Sequence, residues 1–257
     1  WRPESQSNPA VCSACRQRTV SFSTPVSRLR YSTAVCTENR NATLRQRHRL
    51  NTSHEHLTVS GIAGIFQFDG KPVAPGVIEN MTALMKMRGP DGIHHWQREG
   101  AALGNCLLHT TPESVGETLP RTNDDGTLVL VLDGRVDNWQ ELRELLLAKG
   151  HVLHTHTDAE LVLRAYEQWG EDCLRHIDGD FAFAIWNQQQ RSLFCARDRM
   201  GVKPFFYFTD GNLLVFASEL APILATPGIP AEVNQGVLTE LLASKWLTHD
   251  ETLWKQV

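Results

Sequence analysis

Two groups of residues have types and spacings that could bind a metal ion. A C-x-x-C motif at residues 12–15 could hold zinc or carry out redox chemistry. A second Cys/His pair at the spacing of a zinc finger is missing from the sequence. Further along, His151, His154 and His156 could line one face of a strand, but no fourth ligand accompanies them. We therefore predict no metal site in the chain.

The sequence also lacks the glycine-rich loops that cradle phosphate groups. It contains neither a G-x-G-x-x-G motif nor a Gly-Lys-Ser/Thr loop. Because these loops supply the backbone N–H groups that bind phosphate, we expect no cofactor to bind within this chain.

Hydrophobic periodicity from residue 60 onward predicts both strands and helices. Helical spacing and capping residues predict helices at 75–87, 138–150, 157–169 and 234–246. Alternating or continuous apolar runs predict strands at 60–66, 101–108, 127–132, 180–186, 192–196, 205–208 and 213–217. Asp133-Gly134 is typical of a turn, and Asn138 and Thr157 are predicted helix caps. This order of elements indicates an α+β fold rather than a βαβ repeat.

Residues 1–59 differ in composition from the rest of the chain. They contain nine Arg, no Lys, no Asp and three Glu, a net charge of +6, so the remaining 198 residues carry −10 of the total −4. With few large apolar residues and no sustained period, this segment is predicted to be disordered or a non-native extension. Because the first methionine is Met81, one hypothesis is that synthesis starts at a GTG codon for Val59.

The composition of the whole chain is that of an ordinary globular protein. It has 257 residues, 41% hydrophobic and 21% charged. No apolar run reaches 18 residues, and a net charge of −4 favours neither nucleic acid nor a membrane surface as a partner. Cys106, Cys173 and Cys195 stand in apolar surroundings and are predicted to be buried free thiols. We therefore expect a cytoplasmic protein.

Four segments together resemble one known family. They are Gly-Ile-Ala-Gly-Ile-Phe at 61–66, Arg-Gly-Pro-Asp at 88–91, Gly-Asp-Phe-Ala-Phe-Ala at 179–184 and Ala-Arg-Asp-Arg-Met-Gly-Val-Lys-Pro at 196–204. In this order they are similar to the amino-terminal domain of asparagine synthetase, a class II glutamine amidotransferase with the N-terminal-nucleophile (Ntn) hydrolase fold. The resemblance spans residues 60–225 and implies an αββα sandwich of two antiparallel sheets between helices. It also implies that residues 226–257 lead toward a separate synthetase domain, which would bind ATP and magnesium.

The resemblance assigns six site positions, of which several carry an unexpected residue. The family nucleophile is a Cys whose own α-amine acts as the base, and Ser60 stands at that position. An α-amine has a pKa of ~7.7–8, so it could accept the proton only if Ser60 were the mature N-terminus. The Arg that holds the glutamine carboxylate aligns with Leu107, and the Asn-Gly-Glu triplet aligns with Asp133-Gly134-Arg135. Asp158 matches the Asp that binds the substrate amine.

These departures predict a degenerate glutaminase site. In the family, the Asn amide and the Gly N–H form the oxyanion hole, so Asp133 would place a carboxylate where a donor is needed. The loss of one such donor costs about 10²–10³ in rate. Arg135 would repel the substrate ammonium, and Leu107 has no charge to offer its carboxylate. The Arg-Gly-Pro-Asp segment and Arg197-Asp198 are predicted to hold loops by ion pairs and capping.

Three hypotheses follow for the function of the domain. The first is a glutaminase-inactive domain of an ATP-dependent amide synthetase whose substrate brings its own amine, as in β-lactam synthetases and the macrolactam cyclases of lasso-peptide pathways. The segment His-Thr-Thr-Pro-Glu-Ser at 109–114 favours the second of these branches, with a precursor peptide as partner. The second hypothesis is a working amidotransferase that uses Ser60 to release ammonia from glutamine for asparagine formation. The third is a free-standing interaction domain.

Overall fold

The computed structural model describes residues 59–111, 114–245, 247–248 and 251–257, together with the backbone of residues 18–23. Two antiparallel sheets of five strands each form its centre. Within this described part, no helix is long and apolar enough to cross a membrane.

The first sheet is built from five strands that come from distant parts of the chain. They are β1 (Arg18–Ser23), β5 (Arg121–Thr122), β6 (Leu128–Gly134), β7 (Phe181–Asn187) and β8 (Ser192–Arg197). Their order across the sheet is β1-β8-β7-β6-β5, with antiparallel pairing throughout.

The second sheet contains the strand that follows Ser60. Its members are β2 (Gly61–Gln67), β3 (Gly92–Arg98), β4 (Ala101–Leu107), β9 (Phe206–Thr209) and β10 (Leu213–Ala217). They are arranged β3-β4-β2-β10-β9, again with every neighbouring pair antiparallel.

The described part contains five α-helices: α1 (Val77–Leu84), α2 (Trp139–Ala148), α3 (Asp158–Trp169), α4 (Leu220–Leu224) and α5 (Gln235–Leu242). The first four cover the outer faces of the two sheets. The side chains of α2 and α3 bury one face of the first sheet, those of α1 and α4 bury one face of the second, and a third apolar cluster lies between the sheets. This arrangement is the αββα sandwich, so the predicted fold class is confirmed.

The alternation of β6 shows how its sequence divides between two cores. Leu130 and Leu132 belong to the cluster beneath α2 and α3, whereas Val129 and Val131 belong to the cluster between the sheets. Because side chains of a strand alternate between its faces, Asp133 continues the inter-sheet series. A carboxylate is thus directed toward the space between the two sheets.

Several predicted elements need correction. Asp133-Gly134 is not a turn, since β6 runs through both residues and Gly134 pairs with Phe181 of β7. The Asn138 side chain does not cap α2; it bridges the His176 carbonyl and the Asp178 N–H. Both segments have strong local turn or cap propensity, but contacts with residues far along the chain decide their conformation.

The third helix begins where predicted, but its N-terminus is satisfied by different groups. Thr157 makes no side-chain capping bond. Glu160 reaches past Thr157 to the N–H groups of His154 and Thr155, and the Glu117 carboxylate accepts the Ala159 N–H at 2.9 Å. Burial raises the pKa of Glu117.

Both ends of the described chain carry structure that the periodicity did not predict. Residues 18–23 form β1, although disorder is predicted for residues 1–59; Val20 and Phe22 alternate there with Ser and Thr, as is typical of a strand. The rest of residues 1–58, including the C-x-x-C motif, lies outside the described residues. At the other end, an isolated antiparallel bridge joins Val233, which precedes α5, to Trp254.

Candidate active site

Ser60 lies immediately before β2, and its hydroxyl is bound by the backbone of Leu108. The hydroxyl donates to the Leu108 carbonyl at 3.3 Å and accepts the Leu108 N–H at 3.1 Å. A carbonyl oxygen does not take up a proton at neutral pH, so this partner does not activate the hydroxyl. In this chain the nitrogen of Ser60 is also part of the peptide bond to Val59 and is not an amine.

Asp133 is a buried carboxylate at the end of β6. Its side chain has no exposed surface, and Oδ1 lies 2.7 Å from Nζ of Lys203. Oδ2 has no hydrogen-bond partner within the described residues; Nη1 of Arg88 is 3.7 Å away. Burial raises the pKa of Asp133, and the charges of Lys203 and Arg88 offset part of this rise. The negative charge of the buried Asp133 is therefore balanced by two cations, Lys203 and Arg88.

Arg88 connects three segments of the site. Its Nη1 donates to the Ser60 carbonyl at 2.9 Å, and its Nε donates to Glu219, which precedes α4, at 2.6 Å. Gly61 is required for this approach, because a Cβ there would lie 2.8 Å from Cδ of Arg88. The guanidinium thus links the backbone of Ser60 with the carboxylate of Asp133. The predicted loop-holding role of Arg88 is confirmed, and this contact with Asp133 adds to it.

The loop that carries Lys203 is fixed by Arg197 and Asp198. Asp198 accepts the N–H groups of Val202 and Lys203 at 2.9 and 3.0 Å. Arg197 donates to the carbonyls of Lys203 and Gly201 at 2.6 and 2.5 Å. These bonds fix the backbone conformation on both sides of Lys203 and therefore the position of its Cα atom. The predicted structural role of Arg197-Asp198 is confirmed.

The N–H groups of Leu132 and Gly134 lie on the same edge of β6. Arg135 donates its N–H to the carbonyl of Asp180, which directly precedes β7, at 2.9 Å. Since hydrogen-bonded pairs alternate along an antiparallel ladder, Leu132 and Gly134 direct their N–H groups away from β7. β5 is too short to reach them, and Asn105 of β4 accepts the Leu132 N–H across the sandwich at 3.1 Å.

Gly134 is needed at its position for steric reasons. A Cβ there would lie 2.6 Å from the Cα of Phe181 on β7. The backbone of β7 cannot give way without breaking the ladder, so a larger residue is excluded. The backbone donor that the resemblance assigns to the oxyanion hole is therefore held in place.

The other three predicted substrate-binding residues make contacts or occupy positions that stabilise the fold. Leu107 is 4% exposed and belongs to the apolar cluster beneath α2 and α3. Arg135 forms exposed ion pairs with Asp137 at 2.8 Å and Asp180 at 3.2 Å. Asp158 is the first residue of α3, a position where a carboxylate interacts favourably with the helix dipole. The contacts that join Ser60 and Asp133 through Arg88 include none of these three side chains.

The remaining sequence candidates show no catalytic arrangement in the described part. Within it, no group of three or more His, Cys, Asp or Glu side chains could hold a metal ion. His151 contacts the Gln168 side chain at 2.9 Å, and the segment that contains it is not a strand. The predicted buried thiols are confirmed, and burial raises the pKa of Cys106 and of Cys173 to about 12.

Comparisons with known proteins identify the family of this chain. A family model described as a glutamine amidotransferase domain matches residues 59–257. The chain is 36% identical over 183 residues to asparagine synthetase (glutamine-hydrolysing) 3 of Bacillus subtilis, an alignment that covers 70% of this chain and 30% of that protein. The chain belongs to the asparagine synthetase family of glutamine amidotransferase domains.

A second relative and a solved structure are also matched over only part of their length. A putative asparagine synthetase (glutamine-hydrolysing) 2 of Methanocaldococcus jannaschii is 34% identical over 192 residues, which cover 68% of this chain and 36% of that protein. The amidotransferase chain therefore spans about a third of the length of these relatives. Among solved structures, the glutamine phosphoribosylpyrophosphate amidotransferase of Bacillus subtilis aligns with a TM-score of 0.52 and 20% identity, over 63% of this chain and 42% of that one. This likeness supports the Ntn-hydrolase fold.

Two residues of this amidotransferase site are not predicted from the sequence. Lys203 belongs to one of the four motifs, but no sequence pattern connects it with Asp133, from which it is separated by 70 positions. Asn105 carries no sequence signal of its own. A buried Asp requires a nearby cation, so a search for a Lys or Arg in the other motifs could have indicated Lys203.

Proposed function

We propose that this amidotransferase-type domain does not hydrolyse glutamine and serves as the inactive amidotransferase domain of an ATP-dependent, amide-forming synthetase. The amine that attacks the activated carboxylate would then be supplied by the substrate itself. Macrolactam formation within a precursor peptide is the reaction class that we favour.

The buried pair of Asp133 and Lys203 is the observation that carries this proposal. The resemblance places an oxyanion-hole amide at residue 133, where a donor must face the charge that develops on the substrate oxygen. Asp133 is an acceptor, and the nearest ammonium is already bound to its Oδ1 at 2.7 Å. A tetrahedral oxyanion beside Asp133 would meet a like charge instead of a donor, which raises the barrier to glutamine hydrolysis.

The surroundings of Ser60 and Arg135 support the same conclusion. The Ser60 hydroxyl bonds to a backbone carbonyl instead of a base. Arg135 carries a positive charge at the position that the resemblance assigns to an ammonium-binding Glu. Leu107 lies in an apolar cluster and cannot pair with the substrate carboxylate. The nucleophile and two of the three charged contacts to glutamine are therefore changed, whereas Asp158 is kept.

The synthetase chemistry in this proposal belongs to a portion of the polypeptide outside this chain. Curated relatives named asparagine synthetase are about three times as long as the matched region. ATP and magnesium would be bound there, and the precursor peptide would present both its carboxylate and its amine to that portion. The amidotransferase domain would act as a folded support.

Release of ammonia from glutamine tests the proposal directly. The protein is prepared so that it begins at Ser60, alongside a Ser60→Cys variant. A third protein combines three substitutions, Ser60→Cys, Asp133→Asn and Arg135→Glu, and keeps the buried Leu107 unchanged. We expect no release above buffer from the first two proteins and turnover from the third; the asparagine synthetase (glutamine-hydrolysing) 3 of Bacillus subtilis is the positive control for the assay. Turnover by the protein with Ser60 would refute the proposal.

The alternative is a working amidotransferase with Ser60 as its nucleophile. One observation favours it: Gly134 keeps a backbone N–H directed away from β7, on the edge where an oxyanion could bind. Activity in the Ser60→Cys variant alone would show that only the nucleophile had been lost and that the pocket still binds glutamine.

A further inference from the structure

β8 is buried on both faces, although β7 pairs with only one of its two edges. Leu193 and Cys195 pack between the two sheets, and Phe194 and Ala196 pack beneath α2 and α3. These four central residues include no charged residue and no proline, which are the usual features that protect an exposed strand edge. An unprotected apolar strand is a template for pairing with another strand. The sequence of β8 therefore favours a neighbouring strand on its second edge.

The hydrogen bonds to β7 identify which amides of β8 face that second edge. The Asp198 N–H donates to the Phe181 carbonyl at 2.8 Å, one step beyond the last pair of the β7–β8 register. Since hydrogen-bonded pairs alternate along an antiparallel ladder, the N–H of Phe194 faces β7, whereas those of Leu193 and Cys195 face away from it. Leu193 and Cys195 thus present their backbone donors and acceptors at the outer edge.

β1 occupies this outer edge along its whole length. All six residues of β1 pair with β8, and the register places Val20 opposite Cys195. Phe22 lies opposite Leu193 in the same register. By the same alternation, the N–H groups of Val20 and Phe22 face β8, and that of Ser21 faces away from it. Backbone hydrogen bonds of this kind are the means by which an extended peptide adds to the edge of a sheet.

The covalent connection between β1 and the rest of the domain does not determine where β1 lies. Four residues, 188–191, join β7 to β8, whereas 35 residues, 24–58, separate β1 from Val59. A connection of 35 residues can span roughly 120 Å, whereas a folded domain of 198 residues has a radius of gyration of about 16 Å. Because so long a connection allows many positions, the pairing with β8 itself selects the position of β1.

Two properties of the chain favour its own residues 18–23 as the strand at this edge. Residues 1–59 carry a net charge of +6 and the remaining 198 residues carry −10, so the amino-terminal segment is attracted to the folded domain. The covalent connection also gives the segment an effective concentration that a second copy of the chain lacks. Both properties act in addition to the backbone hydrogen bonds.

We propose that the outer edge of β8 is a binding site for an extended peptide, that residues 18–23 of the same polypeptide are its ligand, and that this segment binds without its covalent connection. A protein that begins at Ser60 lacks this ligand, so its β8 edge is open to the same segment supplied as a separate peptide. The inference goes beyond the proposed function and is independent of whether the domain hydrolyses glutamine.

Amide hydrogen exchange of the full chain, resolved by residue with NMR, tests whether the edge can be vacated. A Val20→Pro variant is compared with Ser21→Pro and with the parent. Proline at position 20 removes an N–H that pairs with Cys195, so we expect exchange at Leu193 and Cys195 to become at least about 10-fold faster. Ser21→Pro removes an N–H that faces away from β8 and should exchange like the parent. Phe194, whose N–H faces β7, should keep its rate in all three proteins.

A synthetic peptide of residues 16–25 tests binding without the covalent connection. It is added to the full-length Val20→Pro variant at about 1 mM, a concentration comparable to that which a covalent connection provides. We expect the peptide to restore slow exchange at Leu193 and Cys195. The same peptide with an N-methyl group on Val20 should fail, because its N–H to β8 is lost, whereas an N-methyl group on Ser21 should leave binding unchanged.

Four outcomes would overturn the inference. Two are unchanged exchange at Leu193 and Cys195 in Val20→Pro, and failure of the unmodified peptide to restore their slow exchange. A third is unfolding of the whole domain in Val20→Pro but not in Ser21→Pro, since β1 would then be an inseparable part of the fold. The fourth is a dimer of the parent by light scattering that Val20→Pro converts to a monomer, since a second copy would then supply the strand. The ammonia assay is independent of all four.

Discussion

Replacement of Lys203 by methionine tests whether the buried carboxylate of Asp133 depends on its ammonium partner. The variant keeps most of the aliphatic volume of Lys203 but removes the charge 2.7 Å from Oδ1. Asp133 has no exposed surface, and its Oδ2 already lacks a hydrogen bond within the described residues. The variant would therefore bury an anion whose nearest cation is Arg88, 3.7 Å away.

The expected loss of stability can be worked from these contacts. Removal of one partner of a buried ion pair costs roughly 3–5 kcal/mol. Lys203 retains 18% of its side-chain exposure and Arg88 remains nearby, so we expect the lower end, about 3 kcal/mol at pH 7. With an m-value of about 2 kcal/mol per M in urea, the unfolding midpoint falls by about 1.5 M.

The pH dependence of this loss has a definite sign. Burial raises the folded-state pKa of Asp133 above the ordinary value of 3.8, and the loss of Lys203 raises it further. A raised folded-state pKa makes folding less favourable as the pH rises through that pKa, because the unfolded chain releases the proton first. The difference between Lys203→Met and the parent should therefore shrink as the pH is lowered from 7 toward 4.

Urea titrations followed by tryptophan fluorescence at pH 7 and pH 5 measure both effects. The matched control is Asp133→Asn/Lys203→Met, which removes both charges and should recover most of the stability. The reasoning is refuted if Lys203→Met unfolds within about 0.3 M of the parent at pH 7. It is also refuted if the loss is the same at both pH values, since Asp133 would then not be the group that becomes uncompensated.

Three further predictions concern the buried bond of Asn105, the packing of Gly134 and the burial of two cysteines. Asn105→Leu leaves the buried N–H of Leu132 without an acceptor, so it should cost about 1–3 kcal/mol in urea unfolding and speed amide exchange at Leu132; unchanged exchange would argue against the cross-sheet bond. Gly134→Ala forces a Cβ against the backbone of β7 and should lower the thermal midpoint by several degrees, whereas a neutral result would show that β6 and β7 can separate. Thiol reagents at pH 8 should modify Cys106 and Cys173 only as the protein unfolds, because burial raises each pKa to about 12; rapid modification of the folded protein would contradict their burial.

The fold could be predicted from the sequence because its apolar spacing is strong where the sandwich is buried. β7 (Phe181–Asn187) alternates large residues and lies at the centre of its sheet, and α3 has its predicted position. By contrast, β3 is an edge strand with His94, His95 and Gln97 exposed, so its sequence carries no apolar alternation. Its strand conformation comes from pairing with β4.

The site could be predicted less completely, because its charges are paired over long sequence distances. The unusual residue at Asp133 is visible in the sequence, but its interpretation as part of a turn fails because β7 pairs with both Asp133 and Gly134. The compensating Lys203 is 70 residues away, and no local pattern connects the two positions. Ser60 is likewise visible as an unusual residue, yet its bond to Leu108 depends on the register of β2 and β4.

The two unexpected charged residues of the site, Asp133 and Arg135, each form ion pairs with neighbouring residues. Asp133 is paired with Lys203, and Arg135 is paired with Asp137 and Asp180. Conversion of Asp133 to Asn alone would therefore supply a possible amide donor but leave the ammonium of Lys203 without its carboxylate. That ammonium, on a side chain that is 18% exposed, would then carry an uncompensated charge in the site, a cost that Asp133→Asn alone does not offset.

This pairing predicts that single reversions will not restore glutamine hydrolysis. In the Ser60-started protein, Asp133→Asn, Arg135→Glu and Ser60→Cys should each remain at the buffer rate of ammonia release. Measurable turnover should require at least the nucleophile, the oxyanion donor and the ammonium-binding Glu to be restored together, since residues of one site act non-additively. Turnover from any single reversion would show that the pocket still binds glutamine and that the ion pairs of Asp133 and Arg135 do not prevent its hydrolysis.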